Sequence, residues 1–133
     1  MATIFSKIIA GEIPSFKVAE SDNFYAFLDI FPLKKGHTLV VPKKEIDYFF
    51  DVDDEMIKEY IYFTKKLAIA IKNVIPCIKV GMAVIGLEVP HAHIHLVPLH
   101  DINDLNFSNP KQKFSDEEFK DLSVLISEEF SRL

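Results

Sequence analysis

The sequence predicts an α+β fold: a five-stranded, mostly antiparallel sheet, one long helix, a short N-terminal helix and a C-terminal helix. Three observations carry this. Two strand-like runs, Phe16 to Glu20 and Phe24 to Ile30, flank the turn residues Ser21-Asp22-Asn23, which suggests a hairpin. A long segment ending at Pro76 places apolar residues at helical spacing. Ser115-Asp116-Glu117-Glu118 then forms a capping box ahead of a second apolar stripe. The order is hairpin, strand, long helix, two strands and terminal helix, which is the layout of an α+β domain.

Each element has a local cause. Thr3 caps a short helix that runs to about Ala10 and is closed by Gly11 and Pro14. Pro32 and Lys34-Lys35-Gly36 end the hairpin, and His37 to Val41 reads as the third strand, stopped by Pro42. Asp51, Asp53 and Asp54 put negative charge at the start of the long helix, where the macrodipole favours it. Met56, Tyr60, Thr64, Leu67, Ile71 and Val74 then share a face. Ile78 to Ile85 and His91 to Pro98 read as strands four and five, joined by Gly86-Leu87-Glu88-Val89-Pro90. His100 to Lys113 is polar and irregular and reads as a mobile loop. Phe114 and Phe119 occupy the staple positions around the last cap, and Phe119, Leu122, Ile126, Phe130 and Leu133 form its helix stripe.

A chain of 133 residues fits one domain, 1–133, and is long enough to bury a core without staples. The net charge of −5, with no dense basic run, argues against a nucleic-acid or anionic-membrane surface. Cys77 is the only cysteine, so an internal disulfide and an all-cysteine metal site are excluded. The opening MATIFSKIIAGEIP is interrupted by Lys7, Gly11 and Pro14 and is not read as a signal peptide. No apolar run approaches the length of a membrane span, so the expectation is a soluble cytoplasmic protein with no membrane partner.

Function is concentrated in His91-Ala92-His93-Ile94-His95, which holds three of the five histidines at strict alternation. On a strand, these imidazoles share one face at a spacing of roughly 7 Å, while Ala92, Ile94 and Leu96 face a core. An outward row of imidazoles backed by apolar residues is better explained as a site than as a solvated face. Two chemistries fit. Imidazoles bind zinc, copper, iron or nickel, with His37, Asp29 or Glu88 available in principle as further ligands. Alternatively, one imidazole attacks phosphorus while its neighbours donate hydrogen bonds to phosphate oxygens.

The motif His91-Ala92-His93-Ile94-His95-Leu96-Val97 resembles the histidine triad of the HIT superfamily, His-φ-His-φ-His-φ-φ. Ile4 to Pro14, Ala26-Phe27-Leu28-Asp29-Ile30 and Gly36 to Lys44 resemble, in order, the opening and the next strands of its Hint branch. The core resemblance spans 1–99, with 100–133 left as a loop and terminal helix. It implies a HIT-like α+β fold, usually a homodimer, acting on a small-molecule nucleotide. By position, His93 is similar to the nucleophile, which forms a nucleotidyl-histidine that water then cleaves. His95 is similar to the phosphate-binding residue, His91 to the first triad residue that orients its neighbours, and His37 to an upstream histidine near the nucleophile. Asp29 is similar to the carboxylate that accepts from ribose hydroxyls. Ile4, Phe5, Ile8, Phe27, Ile30 and Leu39 match the apolar slot for the base. On periodicity alone, Phe27, Ile30 and Leu39 would be ordinary core and Asp29 a turn residue.

The implied activity is hydrolysis or nucleotidyl transfer at the α-phosphate of a purine nucleoside phosphoramidate. The alternatives are a dinucleoside polyphosphate hydrolase, a nucleotide-binding module with weak catalysis, and a metal-dependent enzyme. No cofactor is expected, and no metal. Many relatives carry Cys-x-x-Cys and a later His for a structural zinc, where this chain has Thr3, Ser6 and Glu45. The Gly-rich loop that precedes the triad in relatives, with its polar donors, is here Gly86-Leu87-Glu88-Val89-Pro90. Gly86 still offers a backbone N–H, Leu87 has no polar group, and Glu88 suits a cationic leaving group such as an amine.

Overall fold

The computed structural model describes residues 2–133. Its elements are α1 (Ile4–Ile9), β1 (Lys17–Glu20), β2 (Phe24–Leu28), β3 (Thr38–Pro42), α2 (Asp54–Val74), β4 (Lys79–Ala83), β5 (Ile94–Leu99) and α3 (Asp116–Ser131). One-turn 3-10 helices lie at Phe49–Asp51 and Ile102–Leu105. The five strands form one sheet in the order β1-β2-β3-β5-β4, and every neighbouring pair is antiparallel. No helix among the described residues is long and apolar enough to cross a membrane.

Strand alternation gives the sheet two apolar faces. Phe24, Ala26, Leu28, Val40, Ile94 and Leu96 point to one side, where they pack with Tyr60, Leu67 and Ile71 of α2 and Phe119, Leu122 and Ile126 of α3. Tyr25, Phe27, Leu39 and Val41 point to the other side and pack with Phe5 and Ile8 of α1. The register carries this second face across three strands, because Phe27 opposes Leu39 and Leu39 opposes His95. An apolar floor therefore leads straight to a triad histidine.

The helix ends follow their caps. The side chains of Thr3, Asp53 and Ser115 accept from the backbone N–H groups of Ser6, Met56 and Glu118. Each such cap contributes about 1 kcal/mol. The capping box on α3 is closed in both directions.

Two expectations need correction. Strand five does not begin at His91: His91 and His93 precede it, and the ladder with β3 starts where Val40 meets Ile94. The backbone there is held differently, with Ala92 N–H donating to the Ile46 carbonyl at 2.6 Å. The segment His100 to Lys113 is also more than an irregular loop. Asp101 and Asp104 cap the 3-10 helix reciprocally, and Gln112 N–H donates to the Pro32 carbonyl at 2.8 Å. The second bond ties the segment to the β2–β3 connection.

The turn into β3 depends on Gly36. Its φ of +93° lies in the left-handed region, and an added Cβ there would collide with the Ile75 side chain and crowd Pro98. Gly36→Ala should therefore lose stability on both counts, by about 2–4 kcal/mol. Urea unfolding measures this, and a loss below about 1 kcal/mol would contradict it.

Candidate active site

Four imidazoles converge beside the apolar face, and none is exposed in the way that a row on an open strand would be. His91, His37, His93 and His95 are 0%, 2%, 7% and 9% exposed. The His93 and His95 rings lie with centroids 4.9 Å apart, closer than an ideal strand allows, because His93 precedes the strand. Phe5 of α1 packs edge-on against both His91 and His93, at 5.8 and 5.0 Å. Phe107 packs edge-on against His95 at 4.8 Å. Aromatic rings thus cover both ends of the row.

Backbone groups determine which ring nitrogen carries each proton. Leu33 N–H donates to His37 Nδ1 at 3.0 Å, so that nitrogen holds a lone pair. A neutral His37 is then protonated on Nε2, which lies 2.9 Å from His95 Nδ1 and donates to it. His95 in turn carries its proton on Nε2. His93 Nδ1–H donates to the His91 carbonyl at 2.9 Å, which leaves a lone pair on His93 Nε2. His91 Nε2–H donates to the Pro42 carbonyl at 2.7 Å, and its Nδ1 accepts from Thr3 Oγ1 at 2.9 Å. The row therefore offers one bare nitrogen, on His93, beside one N–H donor, on His95.

Burial keeps His37, His93 and His95 neutral. Loss of hydration lowers His37 to about 4 and His95 to about 3, and it also lowers His93. For His93, the hydrogen bond to the His91 carbonyl acts the other way, because that carbonyl favours the cation. Burial raises Asp29, against the opposing hydrogen bond from Phe31 N–H, which its Oδ1 accepts at 2.8 Å.

A cavity of about 530 Å³ opens onto this cluster. Of the residues singled out from sequence, Ile4, Phe5, Ile8, Phe27 and Leu39 line its apolar wall. Asp29, Ile30, His37, Gly86, His93 and His95 also line it. His91 does not; it stands behind His93. Ile4 and Ile30 line the rim rather than a closed core, at 49% and 55% exposed. Sequence reasoning missed Phe107 and Lys111, which line the same cavity from the segment after β5. The available signal was an aromatic residue in an otherwise polar stretch. A second cavity, of about 510 Å³, borders His93 and includes Tyr48, Phe50 and Leu87 in its wall.

Two metal readings can be tested on the donor atoms. Asp29, His37 and His95 bring possible ligand atoms within 4.8 Å of one another. A cation there would need the lone pair of His37 Nε2, which would move that ring's proton to Nδ1, against the N–H of Leu33. The tautomer in place points its N–H into the cluster, so the set does not suit a metal. Thr3, Ser6, Glu45 and His91 also meet. Glu45 Oε1 accepts from Ser6 Oγ at 2.7 Å and from Thr3 N–H at 2.9 Å. Two neutral hydroxyls replace the thiolates that zinc favours, and Thr3 Oγ1 already donates to His91. This group does not fit zinc either; its hydrogen bonds tie α1 to the triad directly.

An antiparallel sheet thus ends in buried, tautomer-ordered histidines at an apolar cavity, with one bare imidazole nitrogen on His93. The HIT domain model matches residues 10–102. An uncharacterised HIT-like protein of Borreliella burgdorferi is 38% identical over 132 residues, covering 93% of this chain and 95% of that protein. The adenosine 5'-monophosphoramidase of Schizosaccharomyces pombe is 35% identical over 132 residues, covering 96% and 97%. A zinc-bound histidine triad family protein from Mycobacterium smegmatis superposes with a TM-score of 0.83 at 25% identity, covering 99% of this chain and 95% of that one. The chain belongs to the HIT family.

The neutral rings imply an acid-sensitive fold. Unfolded histidines take up protons near 6.5, whereas folded His37 waits until about 4 and His95 until about 3. Between these limits the unfolded state binds more protons, so stability falls as pH drops, by about 1.4 kcal/mol per pH unit for each ring. Above pH 6.5 neither ring contributes a slope. Urea unfolding at pH 7, 6 and 5 should show a shallower loss for His95→Gln than for wild type. Coincident slopes would contradict the assignment.

Proposed function

We propose that the protein hydrolyses purine nucleoside phosphoramidates, or transfers their nucleotidyl group, by attack of His93 on the α-phosphorus. The observation that carries this reading is the bare Nε2 of His93 at the mouth of an apolar cavity, with Nδ1–H anchored to a backbone carbonyl. The nucleophile needs no proton removed before it reacts. Forming the N–P bond puts positive charge on the ring, and the His91 carbonyl stabilises that charge through Nδ1–H. The bond from phosphorus to the leaving amine breaks, and the amine keeps the electron pair and takes a proton from solvent. Water then attacks the nucleotidyl-His93, which releases the nucleotide and restores the lone pair.

The remaining residues support the same reading. His95 Nε2–H is a preorganised donor for a phosphoryl oxygen, and its orientation is relayed from Leu33 through His37. Phe5, Ile8, Phe27 and Leu39 offer apolar walls suited to a base. One oxygen of Asp29 is taken by Phe31 N–H, while Oδ2 lies 3.6 Å from His37 Nε2, beyond hydrogen-bond reach, and can accept from a ribose hydroxyl. Glu88 lines the cavity and complements a cationic leaving group better than an anionic one. The activity of the fission-yeast relative points to the same substrate class. The reading includes a homodimer, favoured by the unpaired edge of β4 with Ile78 and Met82 exposed. It also includes a reducing, cytoplasmic setting, which suits the single free Cys77.

Turnover of adenosine 5'-phosphoramidate by wild type and His93→Ala tests the proposal. The variant should lose at least about a thousand-fold in kcat, as expected when a covalent route is removed. Brief incubation of the wild type should add one nucleotidyl group to the peptide containing His93. Equal rates for the two proteins would overturn the role of His93.

A further inference from the structure

The cavity poses a charge problem for an anionic ligand. Asp29 and Glu88 both line it, and the imidazoles there are held neutral by burial. A phosphoryl anion would therefore meet two carboxylates and only neutral donors. Leu87 occupies the loop just before the triad without a polar atom to offer.

Among the described residues, Lys111 is the only Lys or Arg in the lining of that cavity. It belongs to the segment between β5 and α3, outside the residues 10–102 matched by the HIT model. Its Nζ donates to the carbonyls of Phe107 at 2.7 Å and Asn109 at 3.4 Å. Those dipoles orient the ammonium without cancelling its charge, and one of its three N–H groups is left over. Among the described residues, Lys111 takes part in no ion pair. The segment is fixed on both sides of it. Phe107 packs on His95, and Gln112 is tied to Pro32. The ammonium already acts on the site: its positive charge opposes protonation of His37 and His95 and favours the ionised form of Asp29.

We propose that Lys111 is a substrate-binding residue whose ammonium supplies the positive charge for the phosphoryl group of a bound nucleotide beside His95. The inference rests on the nucleotide reading above and adds to it the source of phosphate affinity. Lys111 gives a nucleotide its advantage over the corresponding nucleoside, because only the nucleotide carries the anion. It also makes that advantage sensitive to salt, since the ammonium is solvent-accessible and its field is screened.

Calorimetric titration of AMP and adenosine into wild type, Lys111→Met and Lys111→Arg, at low and high salt, tests this. Lys111→Met should weaken AMP binding at least about ten-fold, the scale of one charge-assisted hydrogen bond, and change adenosine binding by less than about two-fold. It should also flatten the salt dependence of AMP binding, while Lys111→Arg keeps most of the affinity. A Lys111→Met protein that binds AMP as tightly as wild type overturns the role of Lys111 and leaves the nucleotide reading standing. Equal weakening of AMP and adenosine also overturns it, because it would mark Lys111 as a tether for the segment alone. A wild type that binds neither compound contradicts the nucleotide reading and this inference together.

Discussion

The site depends on one buried hydrogen bond: Leu33 N–H to His37 Nδ1. A backbone N–H can only donate, so it fixes His37 as an acceptor on that side. The consequence passes through His37 Nε2 to His95, whose outer nitrogen becomes a donor. A backbone carbonyl fixes His93 in the opposite sense. Two imidazoles two residues apart in sequence and adjacent in space are thereby given opposite hydrogen-bonding senses by main-chain atoms. A triad without these anchors would be a set of interchangeable rings, each free to exchange tautomers.

Burial makes the arrangement durable and also sets its cost. Dehydrated imidazoles resist protonation, so the lone pair on His93 is available at neutral pH. The same dehydration removes the positive charge that histidines would otherwise present to phosphate. Electrostatics at the cavity then rests on groups at its rim, Glu88 on one strand connection and Lys111 on the segment after β5. The fold supplies the floor for this through register alone. Phe27, Leu39 and His95 lie side by side across β2, β3 and β5, so apolar wall and chemistry share one face.

Much of the fold was legible because its causes are local. The caps at Thr3 and Ser115, the acidic start of the long helix, its helical spacing up to Val74 and the turn at Ser21-Asp22-Asn23 each depend on a few neighbouring residues. The placement of His91 and His93 ahead of β5 was not legible, because it is decided by a bond from Ala92 to Ile46, distant in sequence. For the same reason, alternation suggested an exposed row of rings where α1 and Phe107 cover them. The cavity walls were visible only through resemblance, since Phe27 and Leu39 follow a pattern that any core strand would show. Phe107 and Lys111 were hidden in a polar stretch whose tie to the β2–β3 connection depends on Gln112 meeting Pro32.

The central claim concerns where the protons sit, and imidazole nitrogens report this directly. A long-range proton–nitrogen correlation spectrum at pH 7, assigned with single histidine substitutions, distinguishes protonated from bare ring nitrogens. The account requires His93 to be protonated on Nδ1 and bare on Nε2, and His37 and His95 to be protonated on Nε2 and bare on Nδ1. A His93 protonated on Nε2, or on both nitrogens at that pH, would contradict it.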